Sequence, residues 1–396
     1  MIGRSIFHVI IIFVVLFIVI LISAGFYFYK LAISRSKKSL LKDNPDLISG
    51  NTDNPWASER EWLDSQECKK IIMYSSNGLT LCAHYLAAAF PTSVTAILIH
   101  GYTGKGKDMS AIAKYYHEIH GFNVLMPDCR GHGESEGDYI GFGWHDRLDI
   151  LRWIDYIINY TSKSIRKNKS TDKNAVKAGD TVYGDAIYQD VAYRDTVYGD
   201  DAHRDAVYGN AIQGDAVHRN TVHKKNTLKG DIIYKEKTIH KPESEAKIIL
   251  HGVSMGGATV LMTSGEKLPP NVKLIISDCA YTSVRDILSY QLKRMFKLPK
   301  FPFIQITSLI CKLKAGYFFG EASALSQVQK ARVPILFIHG SEDKFVPTEM
   351  VYKLHKAAKS EKQLFIVDKA SHGNAFWTDI DGYTKQIEGL IKKYVL

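Results

Sequence analysis

The chain has 396 residues, 45% of them hydrophobic, enough for one large α/β domain with additions. Much of its net charge of +10 lies beside an apolar N-terminal run and in one later segment, with no recognised nucleic-acid motif. Anionic lipid head groups therefore suit it better than nucleic acid. Five scattered cysteines (Cys68, Cys82, Cys129, Cys279, Cys311), with no Cys-x-x-Cys, suggest neither a zinc site nor a disulfide framework and read as buried free thiols.

Ile6 to Tyr29 is almost wholly apolar, with His8 the strongly polar interruption before Ser23. About 20 such residues cross a bilayer as a helix. A cleaved signal has a shorter apolar stretch, and Ile22 stands where cleavage after Ala24 would want a small residue. Residues 1–43 are therefore expected to be an uncleaved single-pass anchor with a basic flank. Arg4 precedes the span, whereas Lys30, Arg35, Lys37, Lys38 and Lys42 follow it, which by the positive-inside rule puts the rest of the chain on the cytoplasmic face. Residues 44–67 read as a linker rich in Asn, Asp, Ser and Pro, so a chain beginning near Asn51 is expected to be soluble and active.

Residues 69–74 and 79–86 look like two strands joined by a Ser-Asn-Gly turn. Residues 94–99 form a buried strand ending in His100-Gly101-Tyr102-Thr103-Gly104. A helix from about Met109 to His120 follows, then a strand at 122–127 that runs into Asp128-Cys129-Arg130-Gly131-His132-Gly133-Glu134-Ser135. In that turn His132 is expected to stabilise the loop, with Arg130 bonding backbone carbonyls. Trp144 to Tyr160 has helical spacing, with Leu148, Leu151, Ile154 and Ile157 on one face.

Residues 161–245 are unlike the rest. Asp180, Asp185, Asp190, Asp195, Asp200 and Asp205 recur every five residues, and the pattern continues through Asn220. A period of five matches neither 3.6 nor 2, so this low-complexity stretch is read as a disordered or weakly ordered insertion. It resembles pentapeptide repeats only distantly, because the small residue follows the Asp instead of preceding it.

The next strand, Ile248 to Leu250, leads into Gly252-Val253-Ser254-Met255-Gly256, a G-x-S-x-G pattern, and then into an apolar helix. A serine on a sharp strand-to-helix turn stands above the sheet edge, with glycines where backbone must pass close by. Val272 to Asp278 is another strand. Residues 281–332 mix apolar and basic side chains, as a helical cap would, with a face for lipid or an acyl chain. The strand at 333–338 ends in His339-Gly340-Ser341-Glu342-Asp343, and the last, at 363–367, leads to Ser371-His372-Gly373. A closing helix runs from about Thr378 to Tyr394.

Alternating strands and helices mean a mostly parallel sheet covered on both faces, with its site at the carboxyl ends of the strands. Tyr102, Ser254, Asp343 and His372 each follow a strand directly. With His-Gly after the third strand, Asp-x-Arg-Gly-His-Gly-x-Ser, G-x-S-x-G, Asp343 and Ser-His-Gly in that order, the chain resembles an α/β-hydrolase. The likeness is to the serine-aminopeptidase and monoacylglycerol-lipase-like group of membrane-anchored bacterial hydrolases, and it covers residues 68–396 apart from the insertion.

The resemblance implies an α/β-hydrolase fold: a mostly parallel eight-stranded sheet with helices on both faces, a helical cap at 281–332 and the N-terminal transmembrane helix. It implies Ser254 as nucleophile, His372 as its base and Asp343 orienting the imidazole. Backbone N–H groups of Tyr102 and Met255 would form the oxyanion hole. No cofactor and no metal is called for. The expected activity is hydrolysis of a hydrophobic carboxylic ester. A serine aminopeptidase of the same fold is the alternative, and a non-catalytic surface scaffold using the repeat is a third reading.

Overall fold

The structure, a computed structural model, describes residues 2–36, 46, 57–172 and 245–396. The repeat from Asp180 to Asn220, and so nearly all of the expected insertion, lies outside the described residues. The fold below is that of the unit formed by Met1–Lys169 and Glu243–Leu396.

Eight strands make one sheet: β1 (Lys69–Tyr74), β2 (Thr80–Leu86), β3 (Val94–Ile99), β4 (Asn123–Pro127), β5 (Lys247–Val253), β6 (Val272–Asp278), β7 (Ile335–Gly340) and β8 (Lys362–Val367). Their spatial order is β1-β2-β4-β3-β5-β6-β7-β8. The β1/β2 and β2/β4 pairs are antiparallel, and every later pair is parallel. The short apolar runs read from the sequence are these strands, because a strand covered on both faces needs apolar residues at successive positions. Along β3, Ala96 and Leu98 enter one core and Ile97 and Ile99 the other.

The helices in chain order are α1 (Ile2–Phe28), α2 (Ala57–Asp64), α3 (Ser110–Lys114), α4 (Asp146–Asp172), α5 (Met255–Thr263), α6 (Val284–Phe296), α7 (Phe303–Ala315), α8 (Ala324–Gln327), α9 (Glu349–Ala357), α10 (Ala375–Thr378) and α11 (Ile380–Tyr394). Ala111 and Ile112 of α3 and Tyr383, Ile387 and Ile391 of α11 cover one face of the sheet. Ile150, Ile154 and Ile157 of α4 and Ala258 and Leu261 of α5 cover the other. The expected cap is α6, α7 and α8, which leave the carboxyl end of β6 and return at β7.

Three boundaries differ from the sequence reading. Helix α1 does not stop at Tyr29: Tyr29–Ile33 continues it as a wider π turn, and Ile33 is wholly buried. Residues 57–64 are helix, not linker. Trp62 and Leu63 give α2 an apolar edge that joins the core beside α3, and an Arg60–Asp108 ion pair fixes it. Helix α4 runs on past Tyr160 to Asp172, so the start of the insertion moves beyond 161.

Among the described residues, Ile6–Ile33 is long and apolar enough to cross a membrane. Its outer part is exposed, as at Phe13 and Ile20. Its inner end packs on α7, where a Cβ on Gly25 would collide with Ile306 and Ile310.

Candidate active site

Ser254 joins β5 to α5 with φ 57° and ψ −114°, a conformation an L-residue holds only under constraint. The constraint is local. A Cβ on Gly256 would collide with the Ile99 carbonyl of β3, and one on Gly252 with the Gly256 carbonyl. Only glycine fits at either position, so the turn can be tight enough to raise the serine above the sheet. The Ser254 N–H donates to Asp278 O at 2.8 Å, which pins the turn to β6.

The structure brings the three expected side chains into one chain of hydrogen bonds. Ser254 Oγ lies 2.8 Å from His372 Nε2, and His372 Nδ1 lies 2.7 Å from Asp343 Oδ2. Asp343 is buried at the end of the β7 loop, and its Oδ1 accepts from the N–H groups of Phe345 at 3.0 Å and Val346 at 2.8 Å. Burial alone would raise its pKa. The opposing effects of His372 and His339 outweigh that and hold the carboxyl well below the usual carboxylate range. An ionised Asp343 fixes the proton of His372 on Nδ1, leaving Nε2 free to accept from the serine.

The loop after β3 faces the serine: a Cβ on Gly101 would stand 3.5 Å from Ser254 Cβ. The backbone N–H groups of Tyr102 and Met255 have no partner among the described residues, and both residues line the cavity that contains Ser254. Met255 opens α5, whose N-terminus favours developing negative charge.

Two buried histidines brace this loop. His100 Nδ1 lies 2.8 Å from Gly101 O while its Nε2 accepts from Cys129 N–H at 3.0 Å. His132 Nδ1 lies 3.0 Å from Arg130 O while its Nε2 accepts from Thr103 N–H at 3.3 Å. Both arrangements require the neutral ring with its proton on Nδ1. Burial accordingly lowers His100 to about 4, and burial followed by the nearby His100 lowers His132 to about 3. Arg130 departs from expectation: its guanidinium makes a two-pronged pair with the Asp149 carboxylate of α4, both bonds 2.8 Å, in place of binding backbone carbonyls. A buried guanidinium needs that countercharge.

Several site residues were not singled out from the sequence. His339 Nε2 lies 3.2 Å from Asp343 Oδ2 and donates to Val346 O at 2.8 Å, so a second imidazole touches the same carboxylate. The Phe345 ring lies 4.9 Å from the His372 ring. The available signal was the His-Gly pair at the ends of β3, β5 and β7: His100, His251 and His339 are all fully buried.

The cavity beside Ser254, about 130 Å³ in volume, is lined mainly by apolar side chains, with Phe28, Leu31 and Ala32 from the N-terminal helix among them. No carboxylate side chain among the described residues lines it. Among the described residues, Cys279, Asp343 and His372 have potential metal-ligating atoms within 4.8 Å of one another. Asp343 and His372 are committed to each other, and burial drives the Cys279 thiol well above its ordinary pKa, away from the thiolate a metal takes.

The chain has the α/β-hydrolase fold, with Ser254, His372 and Asp343 joined by hydrogen bonds at the carboxyl ends of its strands. Residues 237–386 match the prolyl oligopeptidase family. Over 349 residues, 88% of this chain and 86% of the relative, the sequence is 22% identical to the uncharacterized protein YqkD of Bacillus subtilis. Over 132 residues it is 24% identical to the uncharacterized protein YfhR of Escherichia coli K12, covering 33% of this chain and 39% of YfhR. Among solved structures, the esterase Pf2001 of Pyrococcus furiosus is similar at a TM-score of 0.53 and 16% identity, covering 88% of this chain and 96% of the esterase.

Proposed function

We propose that the chain is a membrane-anchored hydrolase of hydrophobic carboxylic esters, working through an acyl-enzyme on Ser254. The observation that carries the ester reading is the apolar lining of the cavity at Ser254, where among the described residues no carboxylate stands to receive a free amino terminus. In this reading His372 takes the Ser254 proton as Oγ attacks the acyl carbon, and Asp343 stabilises the imidazolium that results. The N–H groups of Tyr102 and Met255 hold the oxyanion, each worth about 3 kcal/mol of barrier. His372 then returns the proton to the leaving alcohol, and water releases the acid by the reverse sequence.

The anchoring is supported by the exposed apolar surface of α1 and by its length. The cytoplasmic face is favoured by Lys30, Arg35, Lys37, Lys38 and Lys42 after the span. Retention in the membrane fraction through a carbonate wash tests the first, and a map of labelled single cysteines on either side of α1 tests the second.

The match to the prolyl oligopeptidase family favours a second reading, a serine peptidase at the same triad. A fluorophosphonate probe together with parallel panels of p-nitrophenyl esters and aminoacyl arylamides separates the two. Labelling lost in Ser254→Ala, with turnover confined to the esters, is the expected result. Turnover of the arylamides alone makes the chain a peptidase, and labelling that survives Ser254→Ala removes the nucleophile assignment.

A further inference from the structure

We propose that the last turn of the N-terminal helix is one wall of the acyl-binding site, and that Phe28 sets the length of acyl chain the enzyme accepts. The inference rests on the reading of Ser254 as nucleophile and extends it to the substrate class: single-chain acyl esters held between the anchor and the cap.

The cavity at Ser254 has two sources of wall outside the sheet loops. Phe28, Leu31 and Ala32 come from the end of α1, and Phe296, Phe303 and Ile304 come from α6 and α7. The two sets meet edge to face. The Phe28 ring lies 5.3 Å from Phe296 at 79° and 6.0 Å from Phe303 at 81°. Such a trio leaves largely apolar ring surface on the cavity, a surface that matches methylene groups.

The turn is also held in place. Tyr102 Oη donates to Ala32 O at 2.7 Å, Ile140 N–H donates to Ile33 O at 2.7 Å, and Arg35 donates to Ser135 O at 2.8 Å and to Gly133 O at 2.9 Å. Gly25 seats α1 directly on α7. A flexible tether would make none of these contacts. The segment that leaves the apolar helix is built into the domain at the place where the substrate must lie, so an acyl chain at Ser254 packs against the same helix whose outer part is apolar and exposed.

The test uses the full chain in detergent and p-nitrophenyl esters from acetate to dodecanoate. Each added methylene that finds room should raise kcat/KM by up to about fourfold, until the cavity is filled. Phe28→Trp, which narrows the cavity from the anchor side, and Phe296→Trp, which narrows it from the cap side, should each lower the decanoate-to-acetate ratio of kcat/KM at least tenfold. Phe28→Ala should move the optimum to longer chains. Should Phe28→Trp fail to fold, the Phe28→Ala and Phe296→Trp profiles carry the test. A chain-length profile in fluorophosphonate-reactive Phe28 variants that matches the wild type, or a uniform loss at every length, overturns the proposal. Activity surviving in Ser254→Ala is a separate failure, that of the nucleophile reading beneath it.

Discussion

The hydroxyl of Tyr102 donates to the main-chain carbonyl of Ala32 across 2.7 Å, joining the loop after β3 to the last turn of the N-terminal helix. The backbone N–H of the same Tyr102 is a proposed oxyanion donor, so one residue links the proposed site of charge development to the segment that ends the N-terminal apolar helix. Tyr102→Phe keeps the ring against Phe142, 5.1 Å away, and removes only the bond. Leaving the Ala32 carbonyl unpaired should cost about 1–2 kcal/mol of stability. It should also lower kcat roughly 3- to 30-fold as the loop loosens. A variant equal to wild type in both thermal unfolding and kcat shows that the loop is braced elsewhere.

Removing the N-terminal helix should do more than remove the proposed membrane anchor. Sequence alone suggests that a chain beginning near Asn51 is soluble and active, yet Phe28, Leu31, Ala32, the buried Ile33 and the Arg35 bonds all go with the deleted segment. The expected outcome is a loss of about 100-fold or more in kcat/KM on a decanoyl ester, accompanied by increased binding of an apolar dye to the opened cavity. Full activity of the truncated chain on long esters counts against the wall.

Within the triad, Ser254→Ala, His372→Ala and Asp343→Ala should each lower kcat by roughly 10³-fold or more, and pairs of these changes should add little further, since the groups act as a unit. His339→Leu should be milder, about tenfold, because Asp343 keeps its bonds to His372, Phe345 N–H and Val346 N–H. Pre-steady-state bursts with a p-nitrophenyl ester would show whether acylation is the step affected.

Asp278 is buried beneath the site. It accepts from Tyr383 Oη at 3.1 Å, and burial raises its carboxyl to about 6, against the opposing pull of His339. A carboxyl that titrates higher in the folded state binds its proton more tightly there, so ionisation penalises folding. The penalty is absent below the unfolded value near 4, grows between about 4 and 6, and is complete above that. Asp278→Asn keeps an acceptor for Tyr383 without the charge. It should therefore be more stable than wild type at pH 8, by ~1–3 kcal/mol, and show no advantage at pH 4. Urea unfolding across that range checks the sign, and a variant equally or less stable at pH 8 contradicts it.

The repeat should be dispensable for chemistry. It leaves after α4 and returns at the amino end of β5, whereas Ser254, Asp343 and His372 follow the carboxyl ends of their strands. Since α4 continues to Asp172, the replacement should span residues 173–244 and not begin at 162. A Gly/Ser linker there should leave kcat/KM on a small ester within a few-fold, because loop length changes stability only slowly. Lost activity in a protein that still unfolds cooperatively would show that the repeat reaches the site.

The sheet and the loops that carry Ser254, Asp343 and His372 were legible in the sequence because the information there is local. Buried parallel strands are short apolar runs. The elbow at Ser254 needs glycine at 252 and 256 for reasons confined to a few residues, and Asp343 and His372 sit where strands end. Other features depended on contacts between residues far apart in the chain. An apolar run from Ile6 onward says that a helix can enter a membrane, but not that Phe28 will meet Phe296 or that Ala32 will meet Tyr102. Trp62 and Leu63 look like part of a polar linker until α3 offers them a core. His339 is an ordinary strand-end residue until the β7 loop folds Asp343 back against it. Periodicity and turn chemistry determine what each segment becomes, whereas the wall of a cavity is decided by which distant surfaces close-pack.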